Sequence, residues 1–296
     1  DEHDKFCKLK DCDGIFVQVN YNPFKEDNKG HMGKKLNQDN VIVRFEFWEM
    51  IIRLAVAKHM SGKHARARDV SDAIGFLLGE QIQPNLTPEM RMDPNMFRRE
   101  RLYTREVDKV LRAHYGLLRG TFHFYKLTAR TKGLLLENWV EFLKDGEVMH
   151  GGGNGEAGGE GKLTMREAKQ VMVWSRMYRV EDLVSKDKAD ACSFVEFLEA
   201  VGRAADIMSI PSKDELHDFG CMSMYEYSNM LKAGHKPLER RPSDELGAVK
   251  TRPLEARLEL MLEFIWDTLV ERFDATGKKQ LQKKFEKLTG IKAYTG

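Results

Sequence analysis

No apolar run in this chain approaches the ~18 residues that cross a bilayer, so no segment reads as a membrane span. Cysteine is scarce. Cys7, Cys12, Cys192 and Cys221 are the four present, with no CxxC spacing, which argues against a disulfide framework and for free thiols in a reducing compartment. Cys7 and Cys12 with His3 make a poor zinc signature, so no metal is expected there. Net charge is nearly absent as well: 48 basic and 46 acidic residues leave +2, and no global field points to nucleic acid or an anionic membrane surface.

The signatures of catalysis are missing too. There is no HExxH, no Walker loop ending in Ser or Thr, no GxSxG elbow and no local Cys–His pair, although triads assembled in space leave no such trace. The formal GxGxxG from Gly153 to Gly158 follows no strand and opens no βαβ unit, so it carries no dinucleotide reading and no cofactor is expected. His59 and His64 lie at no usual metal spacing and suit a helix end. The N-terminus shows neither an initiator Met nor a leader pattern, and the chain reads as part of a longer polypeptide.

What is present is a repeated pattern. Glu46-Phe47-Trp48-Glu49-Met50-Ile51-Ile52-Arg53-Leu54-Ala55 recurs as Glu196-Phe197-Leu198-Glu199-Ala200-Val201-Gly202-Arg203-Ala204-Ala205. Phe47, Ile51, Leu54 and Ala55 share one helical face, and Phe197, Val201, Ala204 and Ala205 share the equivalent one. The run Cys192-Ser193-Phe194-Val195-Glu196-Phe197 has the form of an EF-hand loop entering its exiting helix, where a Glu at position 12 closes the calcium shell. Reading back from Glu196 gives Ser185, Asp187 and Ala189 at positions 1, 3 and 5, and Asp190 where the turn wants Gly. Glu46 gives Lys35, Asn37 and Asp39; a third candidate ending at Glu141 gives Arg130, Lys132 and Leu134. Hard cations want six to eight oxygens, so the shape is expected without the metal.

Along the chain, Ile15 to Asn22 alternates apolar and polar and reads as a short β-like segment before Pro23. Helices are expected from Arg44 to about Met60 and from Ala65 to Leu78, the latter with Val70, Ile74, Leu77 and Leu78 on one face. Gln81 to Pro94, with three prolines, reads as a connector. Arg98, Arg99 and Arg101 read as a solvated helix face. Thr164-Met165-Arg166-Glu167 is a capping box. Leu254, Leu258, Met261, Leu262, Ile265 and Leu269 mark a long amphipathic helix. Trp48, Trp139, Trp174 and Trp266 read as core residues rather than a partner-helix groove.

The fold class read from these signals is mainly α: EF-hand-like helix–loop–helix pairs in two related halves, a β-like N-terminal segment, and an extended linker before a long C-terminal helix. The expected domains are an N-terminal half, 1–150; a glycine-rich tether, 151–162; a second half, 163–231; an extended basic linker, 232–253; and the C-terminal helix with its tail, 254–296. Arg240-Arg241-Pro242-Ser243 would suit a basophilic kinase.

The spans from Arg44 to His59, Val173 to Met177, Phe194 to Ala200 and Lys250 to Leu254 resemble segments of large proteins of ciliary and flagellar axonemes, EF-hand proteins whose loops have lost their ligands. The likeness thins before Gly30 and after Phe273. It implies a non-catalytic scaffold or adaptor on doublet microtubules or an attached complex, in the cytoskeleton of the cilium or flagellum, with tubulin and neighbouring axonemal proteins as partners. Because tubulin is acidic, Arg240, Arg241, Lys250 and Arg252 are the expected partner-binding residues. The alternative is a calcium-responsive EF-hand-type binding module, and an enzyme ranks third.

Overall fold

The computed structural model describes residues 8–21, 42, 44–61, 65–87, 89–129, 133–149, 161–177 and 191–275, together with 283 and 287. The chain is mainly α, and among the described residues the only β pairings are two isolated backbone bridges. It divides into two compact units, Asp1–Arg91 and Met92–Gly296. The division falls inside the proline-bearing connector. The glycine-rich stretch does not separate two cores, because residues on either side of it pack into one cluster.

In the first unit, α1 (Leu9–Val19) occupies the expected β-like segment. Cys12, Ile15, Phe16 and Val19, at helical spacing, are the less exposed positions, while Val17 turns outward at 66% exposure. Alternation would have placed Val17 beside Ile15 and Val19; five residues are too few to tell the two periods apart. The backbone N–H of Lys8 donates to Asp11 at 2.9 Å and starts the helix. Then come α2 (Arg44–His59) and α3 (Val70–Phe76), the latter capped by Asp69, which accepts from the Asp72 N–H at 2.9 Å. A π-helical stretch, Leu77–Ile82, extends α3. Ala55, Ala73 and Leu77 form the small buried core with Ile51, Leu54 and Ile74 against it. Phe47, expected inside, is 45% exposed, and Glu46 is buried instead.

The second unit runs α4 (Pro94–Phe97), a π-helical stretch (Arg98–Leu102), α5 (Arg105–Ala113), α6 (Tyr115–Ala129), α7 (Leu136–Asp145), α8 (Met165–Ser175), α9 (Phe194–Ile207), α10 (Lys213–Asp218), α11 (Met224–Lys232) and α12 (Leu254–Ala275). The helix α9 is central: every residue from Glu196 to Ile207 except Leu198 is buried, because α6, α8 and α12 surround it. Phe197, Val201, Ala204 and Ala205 are all buried, as the repeat predicts. Between α6 and α7 and between α8 and α9, Leu134 and Cys192 exchange both backbone hydrogen bonds, at 2.9 and 2.8 Å, as an antiparallel bridge. Contacts then run α6 to α7, α7 to α8, α8 to α9 and α9 back to α6. The Trp139 indole N–H fixes α7 to α8 by donating to the Ala168 carbonyl at 2.9 Å.

The ends of the glycine-rich stretch are pinned together. Leu163 N–H donates to the Val148 carbonyl at 2.9 Å, and Ser209 N–H donates to Gly161 at 2.8 Å. Gly161 has φ +69°, and a Cβ there would lie 2.7 Å from that of Ser209, so both conformation and space demand glycine. The predicted stripe on α12 is buried at every position, each large apolar side chain being worth about 1.5–3 kcal/mol.

Candidate functional site

The helix α9 ends with unsatisfied carbonyls and the negative pole of its dipole, a place that draws cations. Arg257 meets it first: Nε donates to the Ala205 carbonyl at 2.9 Å, Nη2 to Met208 at 2.5 Å, and Nη1 to the Asp244 carboxylate at 2.5 Å. Both charged residues are fully buried, which is tolerable because each is paired and hydrogen-bonded. Ser209 Oγ donates to the other Asp244 oxygen at 2.9 Å.

The predicted partner residues lie here. Arg240 pairs with Glu167 and donates to the Ile207 carbonyl at 3.2 Å. Arg241 Nη2 donates to the Glu215 carboxylate, 2.5 and 2.6 Å from its two oxygens. Arg252 donates to the Ile210 carbonyl, and its own carbonyl accepts from Arg101, which also pairs with Asp206 at 2.6 Å. Lys250 Nζ donates to the Glu245 carbonyl at 2.9 Å. Burial raises Glu167 and Glu215, yet hydrogen bonds from Arg240, Arg241 and the capped backbone outweigh it and leave both below the usual carboxylate range. Burial pulls the Lys250 ammonium down to about 8. The structure thus brings all four residues together but turns the three guanidiniums inward, and 232–253 is a strap across its own unit.

The sequence also missed a second inward set. Arg98 and Arg101, expected on a solvated face, turn into the core of the unit. Arg98 Nε reaches Glu199 at 2.8 Å and its Nη2 the Trp174 carbonyl at 3.2 Å, leaving Arg99 outside with Asp93 at 3.5 Å. Arg203 binds the other Glu199 oxygen and stacks 4.4 Å over Phe97.

In the first turn of α9, Glu196 is 1% exposed. Its Oε1 accepts the Met177 N–H at 2.7 Å and its Oε2 the Ser193 N–H at 2.7 Å. The ligand positions Ser185, Asp187, Ala189 and Asp190 lie outside the described residues, as do Lys35, Asn37, Asp39, Arg130 and Lys132. The bridge sets the third register differently from the sequence reading: Leu134 opposite Cys192 aligns Asn138, not Glu141, with Glu196. Among the described residues, no three His, Cys, Asp or Glu side chains are grouped to hold a metal. His59 is the last residue of α2 and accepts from Arg66 Nε at 3.2 Å through Nδ1.

No family model, no curated protein and no solved structure matches the chain.

Proposed function

We propose that the chain is a non-catalytic scaffold or adaptor subunit of the axoneme, built on EF-hand-like helix–loop–helix pairs that close without a cation. The clasp at Glu196 carries the reading. In an EF-hand the loop-ending Glu gives both oxygens to calcium; here each of those oxygens accepts a backbone N–H, from Met177 and from Ser193. The protein supplies the closure that the ion supplies elsewhere. The Leu134–Cys192 bridge and the cyclic packing of α6, α7, α8 and α9 favour pairing of two such hands.

Placement on the axoneme rests on the resemblance of the spans around Arg44, Val173, Phe194 and Lys250. Tubulin and neighbouring axonemal proteins are the proposed partners, met through surfaces other than the inward guanidiniums of Arg240, Arg241 and Arg252. Cross-linking mass spectrometry on isolated axonemes tests the placement: cross-links to tubulin or doublet-bound proteins support it, and recovery of the chain only in the soluble fraction overturns it. Thermal melts in calcium and in chelator test the closure. Coincident curves support it, and a calcium-dependent rise transfers the chain to the calcium-responsive module.

A further inference from the structure

The second unit holds a cavity of about 460 Å³ where the junction of α5 and α6 faces α11 and α12. Its floor is apolar: Leu117, Met224 and Phe264 are buried there, and Trp266 is half-buried at the side. Its rim carries Glu263 and Asp267, one turn apart on α12 and both exposed. Apolar floors with a few placed polar groups are what ligand pockets of this size have in common.

The charge at the rim lacks a counterpart. Elsewhere on α12, Glu259 pairs with Lys213 at 3.4 Å and Arg272 with Asp145 at 2.9 Å. Among the described residues neither Glu263 nor Asp267 has a cation partner. The pocket walls partly desolvate Asp267 and push its carboxyl above the usual carboxylate range, an unfavourable condition that a cation would relieve. The remaining polar features do not offer an anion site. Ser223 caps α11, and its Oγ accepts from Glu226 at 3.2 Å while Glu226 accepts the Met222 N–H at 2.6 Å, so a carboxylate already covers that helix pole. His114 lies between the last residue of α5 and the first of α6, so the negative pole of one helix meets the positive pole of the other there.

We propose that this pocket docks a partner polypeptide through an arginine or lysine next to an apolar side chain, the apolar group filling the floor and the cation resting between Glu263 and Asp267. The volume exceeds one side chain and suits such a pair. The long stem of either basic residue can lie on Trp266 while its head reaches the rim. The inference goes beyond the scaffold reading and does not depend on where in the cell the chain acts.

The test uses the full chain at pH 8. The probes are acetyl-Leu-Arg-amide, acetyl-Leu-citrulline-amide and acetyl-Leu-Glu-amide at millimolar concentration, followed by saturation-transfer NMR. The arginine dipeptide should bind, weaken with salt, and bind about tenfold better than the citrulline one, with no signal from the glutamate one. Glu263→Gln with Asp267→Asn should remove that preference without lowering the melting temperature, since both side chains are exposed. Asp267→Lys, which brings its own cation to the rim, is the second variant and should abolish arginine binding. Equal binding of the three probes, no binding of any, or a preference surviving both variants overturns the proposal. So does a wild-type dimer that the double variant splits, because the occupant is then a second copy.

Discussion

Glu199 and Arg203 stand one turn apart in α9, Nε to Oε1 at 2.8 Å, and both are buried. The first copy of the repeated pattern has the same pair in α2, where Arg53 Nη2 lies 2.7 Å from Glu49 at 44% exposure on each side. One sequence device has become a core ion pair in one unit and a surface pair in the other. The difference is what surrounds it. Arg98 fills the second Glu199 oxygen, Pro94 accepts from Arg203 at 2.6 Å, and Phe97 lies beneath the guanidinium.

Breaking the two pairs should therefore have unequal effects. Arg203→Ala removes one of the two guanidiniums on the buried Glu199, leaving Arg98 on the other oxygen, and should cost about 1.5–3 kcal/mol, whereas Arg53→Ala should cost under about 0.5 kcal/mol. Urea unfolding of the two variants checks this, and equal losses would contradict the buried geometry.

Glu196→Gln keeps the shape but leaves one of two backbone N–H groups facing an amide N–H₂. A loss of about 1–3 kcal/mol is expected, the cost of an unsatisfied buried donor. The melting temperature of the variant should still be the same in calcium and in chelator, which separates a clasp from a crippled cation site.

Lys250 should write itself into the pH dependence. Its folded value is about 8 against an ordinary 10.5, so between those limits the unfolded chain binds more protons and stability rises with pH. Below about pH 8 the lysine is charged in both states and its burial is a full disadvantage. Lys250→Met should be more stable than wild type at pH 7, and the gap should shrink towards pH 10.5. Denaturation midpoints across that range test it; a gap that widens with pH contradicts the sign.

Gly161→Ala forces a Cβ to within 2.7 Å of Ser209 at a left-handed φ of +69°. Gly234→Ala meets the same kind of φ, +95°, in open space. The first should lose clearly more stability than the second, which carries only the roughly 1 kcal/mol backbone cost. Similar melting temperatures would remove the steric claim.

Much of the helical frame was legible because local chemistry determines it. The capping box at Thr164 and Glu167 and the stripe from Leu254 to Leu269 appear where periodicity placed them. The failures share a cause. In α1, Ile15, Val17 and Val19 satisfy alternation over a span too short to exclude a helix, and only packing shows Val17 outside. Arg98 and Arg101 find their carboxylates 101 and 105 positions away, at Glu199 and Asp206, so no local window could show that they point inward. The same holds for Arg240, whose partner Glu167 lies 73 positions earlier. A basic cluster in a sequence reports charge, and its meaning depends on which acids the fold delivers to it. The cavity beside Trp266 left no signal, being built from four helices that only the tertiary arrangement assembles.

Leu163 bonded to Val148 and Gly161 bonded to Ser209 hold both ends of 151–160 to the second unit, so the unit is expected to keep its core when the chain is cut within that stretch. A protease site engineered into that stretch should yield two fragments that co-elute in size exclusion and separate only in denaturant, each unable to bury its apolar faces alone. The same property makes the position a natural place to divide the protein into complementing halves.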